Sequence, residues 1–595
     1  MIVPMKKATI LVLADDAGAT VAALRQLGVL HIEHQNPPES PDLPVLRERH
    51  ARIDTALGIL NQVPEPERTG IPQRTTDGDG TGAADLIIGL DKQRAELGSA
   101  ERTVRSRIAD WEPWGDIDAG RVRMLEKNGI YLKLCKLPAG ERDRFPADVV
   151  VRTRATYGNL AWCVVIARHP FDCPFEETPP PQLGLAALRE KLKETSAALT
   201  RVNGQIARAA GFSLHLARMK EELRKEIEFR QVVSGMGWEG RIGYVTGYIP
   251  YDEADDLIRE ARSRQWGIVI TDPAPEDTVP TLLRNPPWVE RIRPVFGLLG
   301  ITPGYRELDI SMLFLIFFCI FFGILIGDAG YGLVYILATL LLQKALKSPA
   351  GLRSTFSLFY FMGAFAILWG ILTGTFFGQA WLQNLGFRPL VPQLNNANDM
   401  QTFCFFLGAL HLSIAHAWRA YVKLPSLAAI ADAGWICILW TAFFLARTLI
   451  LGAAFPSFGI WLVTAGIVLV VVFAHPQASF LRTIGGGLGT VALSLVNNLT
   501  DVISYIRLFA VGLATLAIAE TTNTLASGFG TGVAALAAGG AILIIGHSIN
   551  LILGPMSVLV HGVRLNVLEF SGHANVTWSG VAFEPFREGS GGDHG

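Results

Sequence analysis

Residues 488–527 read LGTVALSLVNNLTDVISYIRLFAVGLATLAIAETTNTLAS, a long apolar run with Arg507 near its middle. The run is about twice the length of roughly 20 residues that carries a helix across a bilayer. An arginine at mid-membrane costs about 3 kcal/mol on insertion scales, so it calls for a water-filled cavity or a charged partner. Arg507 is about 19 residues from either end of the run, which makes snorkelling to the surface hard. Asn497, Thr500, Ser504 and Arg507 follow at steps of three, four and three and therefore share one helical face. The next run, 532–570, shows a similar face: His547, Asn550, Gly554, Ser557, His561 and Arg564. Polar groups at this period in apolar helices predict a hydrated seam. The plainer alternative is that they bond two long helices together and that Arg564, near the end of its run, snorkels. By the same measure His547 and His561 serve more readily as helix-bonding groups than as proton relays. Glu520 is 13 residues beyond Arg507, or roughly 20 Å along an ideal helix, where it lines an exit path or sits at the interface.

Outward from this stretch, apolar runs dominate everything after about residue 308. Eight candidate spans lie at 308–327, 331–346, 354–378, 400–418, 426–451, 457–474, 488–527 and 532–570. The last two are so long that they must tilt, bend or extend past the bilayer. With the amino terminus in the cytoplasm, the returning connections carry Lys344, Lys347, Arg353, Arg419, Lys423 and Arg482. The opposite side holds Arg388, with Arg447 near a span end, so the distribution obeys the positive-inside rule. Among other intramembrane polar groups, Asp328 sits in a glycine-rich turn and reads as structural. His411 and His416 read as core hydrogen-bonding groups rather than metal ligands.

The first 300 residues have the mixed, charged composition of a soluble domain. Lys6–Leu13 reads as a strand, Ala17–Leu27 as a helix and Val29–Glu33 as a second strand. Ser40–Gln62, Ala84–Trp111 and Leu183–Met236 are charged stretches with apolar residues at helical spacing. They suggest an antiparallel coiled-coil arm, with a closed bundle as the alternative. Further strands are expected at Gly129–Cys135, Asn159–Ala167, Arg241–Ile249 and Trp266–Thr271. Pro64–Gly82 reads as a linker. The expected fold is therefore an α+β cytoplasmic half, two small α/β lobes joined by a helical coiled-coil rod, followed by a polytopic all-α membrane half of eight helices. The expected divisions are 1–305, 306–575 and a cytoplasmic tail at 576–595.

Several classes are disfavoured. The net charge of -1 and the lack of a dense basic run argue against a nucleic-acid partner. The six cysteines are scattered with no CxxC pair, suggesting neither a disulfide framework nor a zinc site. DGDGTG at Asp77–Gly82 and GGGLG at Gly485–Gly489 lack the Lys-Ser/Thr of a phosphate loop, and no Walker motif, HExxH or nucleophile elbow occurs. No cofactor, metal or catalytic residue is expected, and nothing looks able to hydrolyse ATP unaided. The opening residues do not read as a signal peptide.

Several ordered motifs resemble the a-type (I-type) subunit of V-type and archaeal-type rotary ATPases. They are Met5-Lys6-Lys7 through Leu27-Gly28-Val29-Leu30-His31-Ile32, Pro280-Thr281-Leu282-Leu283-Arg284-Asn285 and Tyr305-Arg306-Glu307-Leu308-Asp309. Phe322-Gly323 through Gly327-Asp328-Ala329-Gly330-Tyr331-Gly332 follows. The most specific are Ser504-Tyr505-Ile506-Arg507-Leu508-Phe509-Ala510 and Val563-Arg564-Leu565-Asn566-Val567-Leu568-Glu569-Phe570. The resemblance implies an integral membrane stator, both termini cytoplasmic, in a prokaryotic plasma membrane. Its amino-terminal half would bind helical peripheral-stalk subunits, and the central stalk and ATP-hydrolysing head would be further partners. Its spans would face a rotating proteolipid ring. It further implies that Arg507 is the essential arginine, Arg564 the second arginine, and Glu569 an acidic position of the cytoplasmic half-channel, with His561 beside it. Two departures stand out: Thr515 replaces a histidine common in eukaryotic members, and Ile310 replaces a common proline. A secondary transporter with a cytoplasmic arm is the rival, although the chain lacks the clear internal repeat such folds show. Neither the choice between H+ and Na+ nor the direction of transport is legible.

Overall fold

The computed structural model describes residues 1–64, 81–138, 141, 144–347, 350–379, 386, 388–473, 494–530 and 532–588. Most of the Pro64–Gly82 linker, the GGGLG stretch, Arg482 and positions 488–493 lie outside these residues. In order, the first elements are β1 (Met5–Leu13), α1 (Ala17–Leu27), β2 (His31–Glu33), α2 (Asp42–Asn61), α3 (Thr81–Trp111) and α4 (Ala119–Lys127). Then come β3 (Tyr131–Pro138), β4 (Val150–Tyr157), β5 (Leu160–Ala167), α5 (Leu185–Ala209) and α6 (Ser213–Ser234). They are followed by β6 (Gly237–Glu239), β7 (Ile242–Pro250), α7 (Ala254–Ser263), β8 (Gly267–Thr271) and α8 (Arg293–Leu299). The chain forms two compact units, one made of 1–14, 23–33 and 238–595, the other of 15–22 and 34–237.

In the second unit, α5 packs on α3 and α6 on α2. Where the pairs meet, Ile53, Leu60, Ala84, Ile87, Ile206 and Leu216 share one core. The charged stretches thus fold into paired helices with a four-helix junction, since each apolar stripe needs a partner to leave water. Strands β3, β5 and β4 form an antiparallel sheet. Strand β4 was not expected from the sequence. Its VVRTRATY pattern hides β-branched residues among arginines. The fold also brings Cys135 beside Cys173, a meeting of scattered cysteines that spacing alone does not reveal.

In the first unit the sheet order is β2-β7-β1-β8, all neighbours antiparallel, with β6 also paired to β7. Gly247 lets β2 lie close, since a Cβ there would stand 2.3 Å from the His31 carbonyl oxygen. The segment after residue 575 returns to this sheet. Thr281 N–H donates to the Val581 carbonyl at 2.7 Å, and Phe586 N–H to that of Leu30 at 2.9 Å. Phe583 is buried with Met5, Tyr248 and Val279.

The apolar runs form α9 (Ser311–Ile326), α10 (Ala329–Ala345), α11 (Arg353–Thr373), α12 (Ala397–Lys423), α13 (Ala428–Leu451), α14 (Phe458–Phe473), α15 (Ser494–Ser527) and α16 (Val533–Ala574). All eight apolar segments are helical, yet only α11, α12, α13, α15 and α16 are long and apolar enough to cross a membrane. Helices α9 and α10 meet at a 119° bend and together make a broken span or a re-entrant pair. Gly327, at φ 68°, makes the corner, and Asp328 caps α10 by accepting from Gly330 N–H at 2.7 Å and Tyr331 N–H at 3.2 Å. Helix α14, at 16 residues, spans only about 24 Å, short of a hydrocarbon core of about 30 Å. The count is therefore five spans, or six with the bent pair, among the described residues. Helix α9 is apolar on every face and sits at the centre, with 12 of its 16 residues buried.

Candidate functional site

Arg507 lies just past a local break in α15 at Tyr505. Tyr505 is fully buried, and its hydroxyl lies 2.8 Å from His411 Nδ1. Its ring packs over Gly408, where a Cβ would meet it at 2.7 Å. His411 is itself stacked between Phe317 and Phe570, at centroid distances of 3.7 and 4.2 Å. This aromatic clamp fixes the backbone from which Arg507 projects.

The guanidinium meets a buried carboxylate. Arg507 Nη2 lies 2.6 Å from Glu569 Oε1, and Arg507 Nε donates to the Ser504 carbonyl at 2.9 Å. Ser504 Oγ donates to the same Glu569 oxygen at 3.2 Å, and Arg564 Nε is 3.7 Å away. Glu569 is 7% exposed, whereas the Arg564 side chain is 56% exposed. In an ordinary α-helix, residues five apart do not share a face. Here Val558–Gly562 and Leu565–Phe570 are π-helical. The wider i→i+5 turn brings Arg564 and Glu569 to one side, a feature often found at functional sites. His561, on the first π turn, is half-buried and close enough to both arginines to feel their charge.

Two clefts lie along α15, one lined by residues before Arg507 and one by residues after it. One, of about 340 Å³, is lined by Asn497, Asn498, Asp501, Glu569, His416 and His573. The other, of about 300 Å³, is lined by Gly327, Thr375, Phe509, Gly512, Leu513 and Glu520. The polar face of α16 accordingly splits in two. His561, Arg564 and Glu569 belong to the Arg507 site. His547 and Asn550 instead hold helices together: His547 Nδ1 is 2.6 Å from Tyr331 Oη, and Asn550 donates to Tyr331 Oη at 3.0 Å and to the Thr515 carbonyl at 2.8 Å. Ser557 is half-buried between the two groups.

Sequence reasoning missed Asp432, Asp501 and His573 and gave His416 and Arg419 no part in a site. Asp432 is wholly buried, with His416, Arg419 and Lys423 around it. The signal available was a lone aspartate inside the apolar run 426–451, nine residues from Lys423. Arg419 and Lys423, counted above only as loop charges, are therefore also counterions of this carboxylate.

Long apolar helices around a paired arginine and a polar cleft define a polytopic membrane protein with a buried charged site. The chain is 32% identical over 631 residues to "V-type ATP synthase subunit I 1" of Treponema pallidum (strain Nichols), covering 99% of this chain and all of that one. It belongs to the family of subunit I of V-type and A-type ATP synthases. It is also 29% identical over 616 residues to V-type ATP synthase subunit I of Borreliella burgdorferi, across 99% of this chain and all of the relative. A-type ATP synthase subunit I of Methanocaldococcus jannaschii is 26% identical, over 60% of this chain and 56% of its own. No family model matches the chain. A crystal structure of the cytoplasmic N-terminal domain of subunit I, homolog of subunit a, of V-ATPase covers 44% of this chain at 14% identity, with a TM-score of 0.23, too low for structural inference.

Proposed function

We propose that this rotary-ATPase subunit is the membrane stator that carries ions past a rotating ring of carboxylate-bearing subunits, with Arg507 as the charge that couples rotation to transfer. The observation that carries this reading is the place of Arg507 on α15 between two separate clefts, a polar one beside Glu569 and Asn497 and a mainly apolar one that reaches Glu520. A cation near a carboxylate favours its ionised form. A ring site arriving beside Arg507 would give up its ion to one cleft, and the guanidinium would bar a direct leak to the other. Arg564 and Glu569, with His561 one turn away, line the access path on the cytoplasmic side. The faces of α15 and α16 also support a ring contact. Only 28% and 11% of their most apolar stretches are buried, and Ile544, Ile552 and Met556 lie open along α16. In the same reading residues 1–305 anchor the peripheral stalks, and 576–595 form a cytoplasmic tail.

The test is ATP-driven ion uptake into vesicles holding the assembled complex. Arg507→Ala should lose uptake with assembly intact. Arg507→Lys keeps the charge but not the planar fork, and it should also transport poorly. Native uptake in Arg507→Ala would remove the coupling role.

A further inference from the structure

The cleft beside Glu569 is bordered by titratable groups for which coupling by Arg507 has no use. His416 Nδ1, Arg419 Nη2 and Lys423 Nζ approach Asp432 at 3.2, 3.2 and 2.7 Å. From His416 the contacts run on: its Nε2 lies 2.9 Å from His573 Nδ1, and His573 Nε2 lies 3.1 Å from Asp501 Oδ2. Arg419 also donates to the His573 carbonyl at 2.9 Å. Asp432, His416, His573 and Asp501 thus form one unbroken line, contributed by α13, α12, α16 and α15 in turn.

Neutralising Asp432 does not by itself require such a line. Arg419 and Lys423 already supply two positive charges for that one carboxylate, so the two imidazoles and their continuation to Asp501 exceed what neutralisation needs. A neutral imidazole offers one N–H and one bare nitrogen. Two in series between carboxylates are therefore polarised in one direction or the other and reverse by moving protons along the line. The Asp501 end opens to the cleft, its side chain 31% exposed against 8% for His573 and 1% for Asp432. In the same cleft, Glu569 Oε2 and Asn498 Nδ2 are buried without a hydrogen-bond partner among the described residues. A buried carboxylate oxygen left unpaired marks a place for water or a proton.

We propose that Asp501 and His573 are the proton-exchanging pair of this cleft, held in place by the positioning residues His416 and Asp432. This rests on the stator reading above. A hydronium in the cleft gives its proton to Asp501 or His573: its O–H bond breaks as the new O–H or N–H bond forms, leaving water. Release toward Glu569 reverses the step, and the pair regains its starting charge. The groups facing His573 are Asp501, His416 and Arg419, with Asp432 and Lys423 behind them and Glu569 in the same cleft.

The test compares ATP-driven H+ and radioactive sodium uptake in vesicles holding the whole complex. His573→Ala should lower H+ uptake by roughly 100-fold, within the usual span of proton-transfer effects. Added imidazoles should restore uptake in the order of their basicity. Native uptake in this variant, or rescue that follows imidazole size instead of basicity, would overturn the proposal. Asp501→Asn keeps the shape and covers the case in which His573→Ala fails to assemble. It should lose H+ uptake and flatten its pH profile, and a native profile there would equally overturn the pair. Sodium uptake without H+ uptake by the native complex would overturn the proton-exchanging pair. If that sodium uptake vanished in Arg507→Ala, the stator reading would stand; if it persisted, that reading would fall separately.

Discussion

Glu569 Oε1 accepts from Arg507 and Ser504 at once, so its removal strands a guanidinium 22% exposed in the middle of an apolar helix. Breaking a buried ion pair by deleting one partner costs roughly 3–5 kcal/mol. Glu569→Ala should therefore lower the thermal stability of the purified complex as well as its ion uptake. Glu569→Gln keeps an acceptor for Ser504 and Arg507 and should recover much of the stability but little of the transport. The two readouts together distinguish a structural carboxylate from one on the ion path. Arg507, Arg564 and Ser504 were visible in the sequence because a polar residue in an apolar run announces itself. The line from Asp432 to Asp501 was not, since its members come from four helices and only the fold brings His416 and His573 together.

Helices repeat the same contrast. Strands β1, β7 and β8 and helix α3 could be read from period alone, to within a few residues, whereas the single stretch Leu183–Met236 folds as two helices, α5 and α6. The π turns in α16 could not, because the sequence around Arg564 is as compatible with an α-helix. Nor could the 119° bend between α9 and α10, where two runs read as separate spans meet in a capped corner. The break in α15 depends on a neighbour, since Tyr505 fits only because residue 408 lacks a side chain. Gly408→Val should force that ring aside at roughly 1–3 kcal/mol, the usual range for overpacking. Ion uptake should then fall although no charged group has changed, and loss of the Tyr505–His411 contact, followed through the His411 ring resonances, would locate the cause. Native uptake with the ring displaced would show that Arg507 does not depend on this clamp.

At the scale of the molecule, the segment after α16 is laced back to the first sheet, and Glu307 ties the lacing. Its carboxylate accepts from Gly304 N–H at 2.7 Å and Thr577 N–H at 2.8 Å, and from the Thr577 hydroxyl. Burial alone would raise its pKa, but the hydrogen bonds from Thr577, Gly304 and Trp578 outweigh it and hold the pKa below the ordinary 4.5. A depressed folded pKa gives stabilisation that is complete above the unfolded value and is lost as pH falls through the folded one. Amide exchange of residues 577–583 should thus speed up on acidification below about pH 4, and Glu307→Gln should remove that dependence. Since Glu569 and Trp578 are nine residues apart on one strand of chain, drag on the end of α16 has a covalent route into the sheet. Under the proposed function that lacing is a mooring line: the turning ring pulls against a β-sheet as well as against helices floating in lipid, and cutting the line should let rotation slip before it stops.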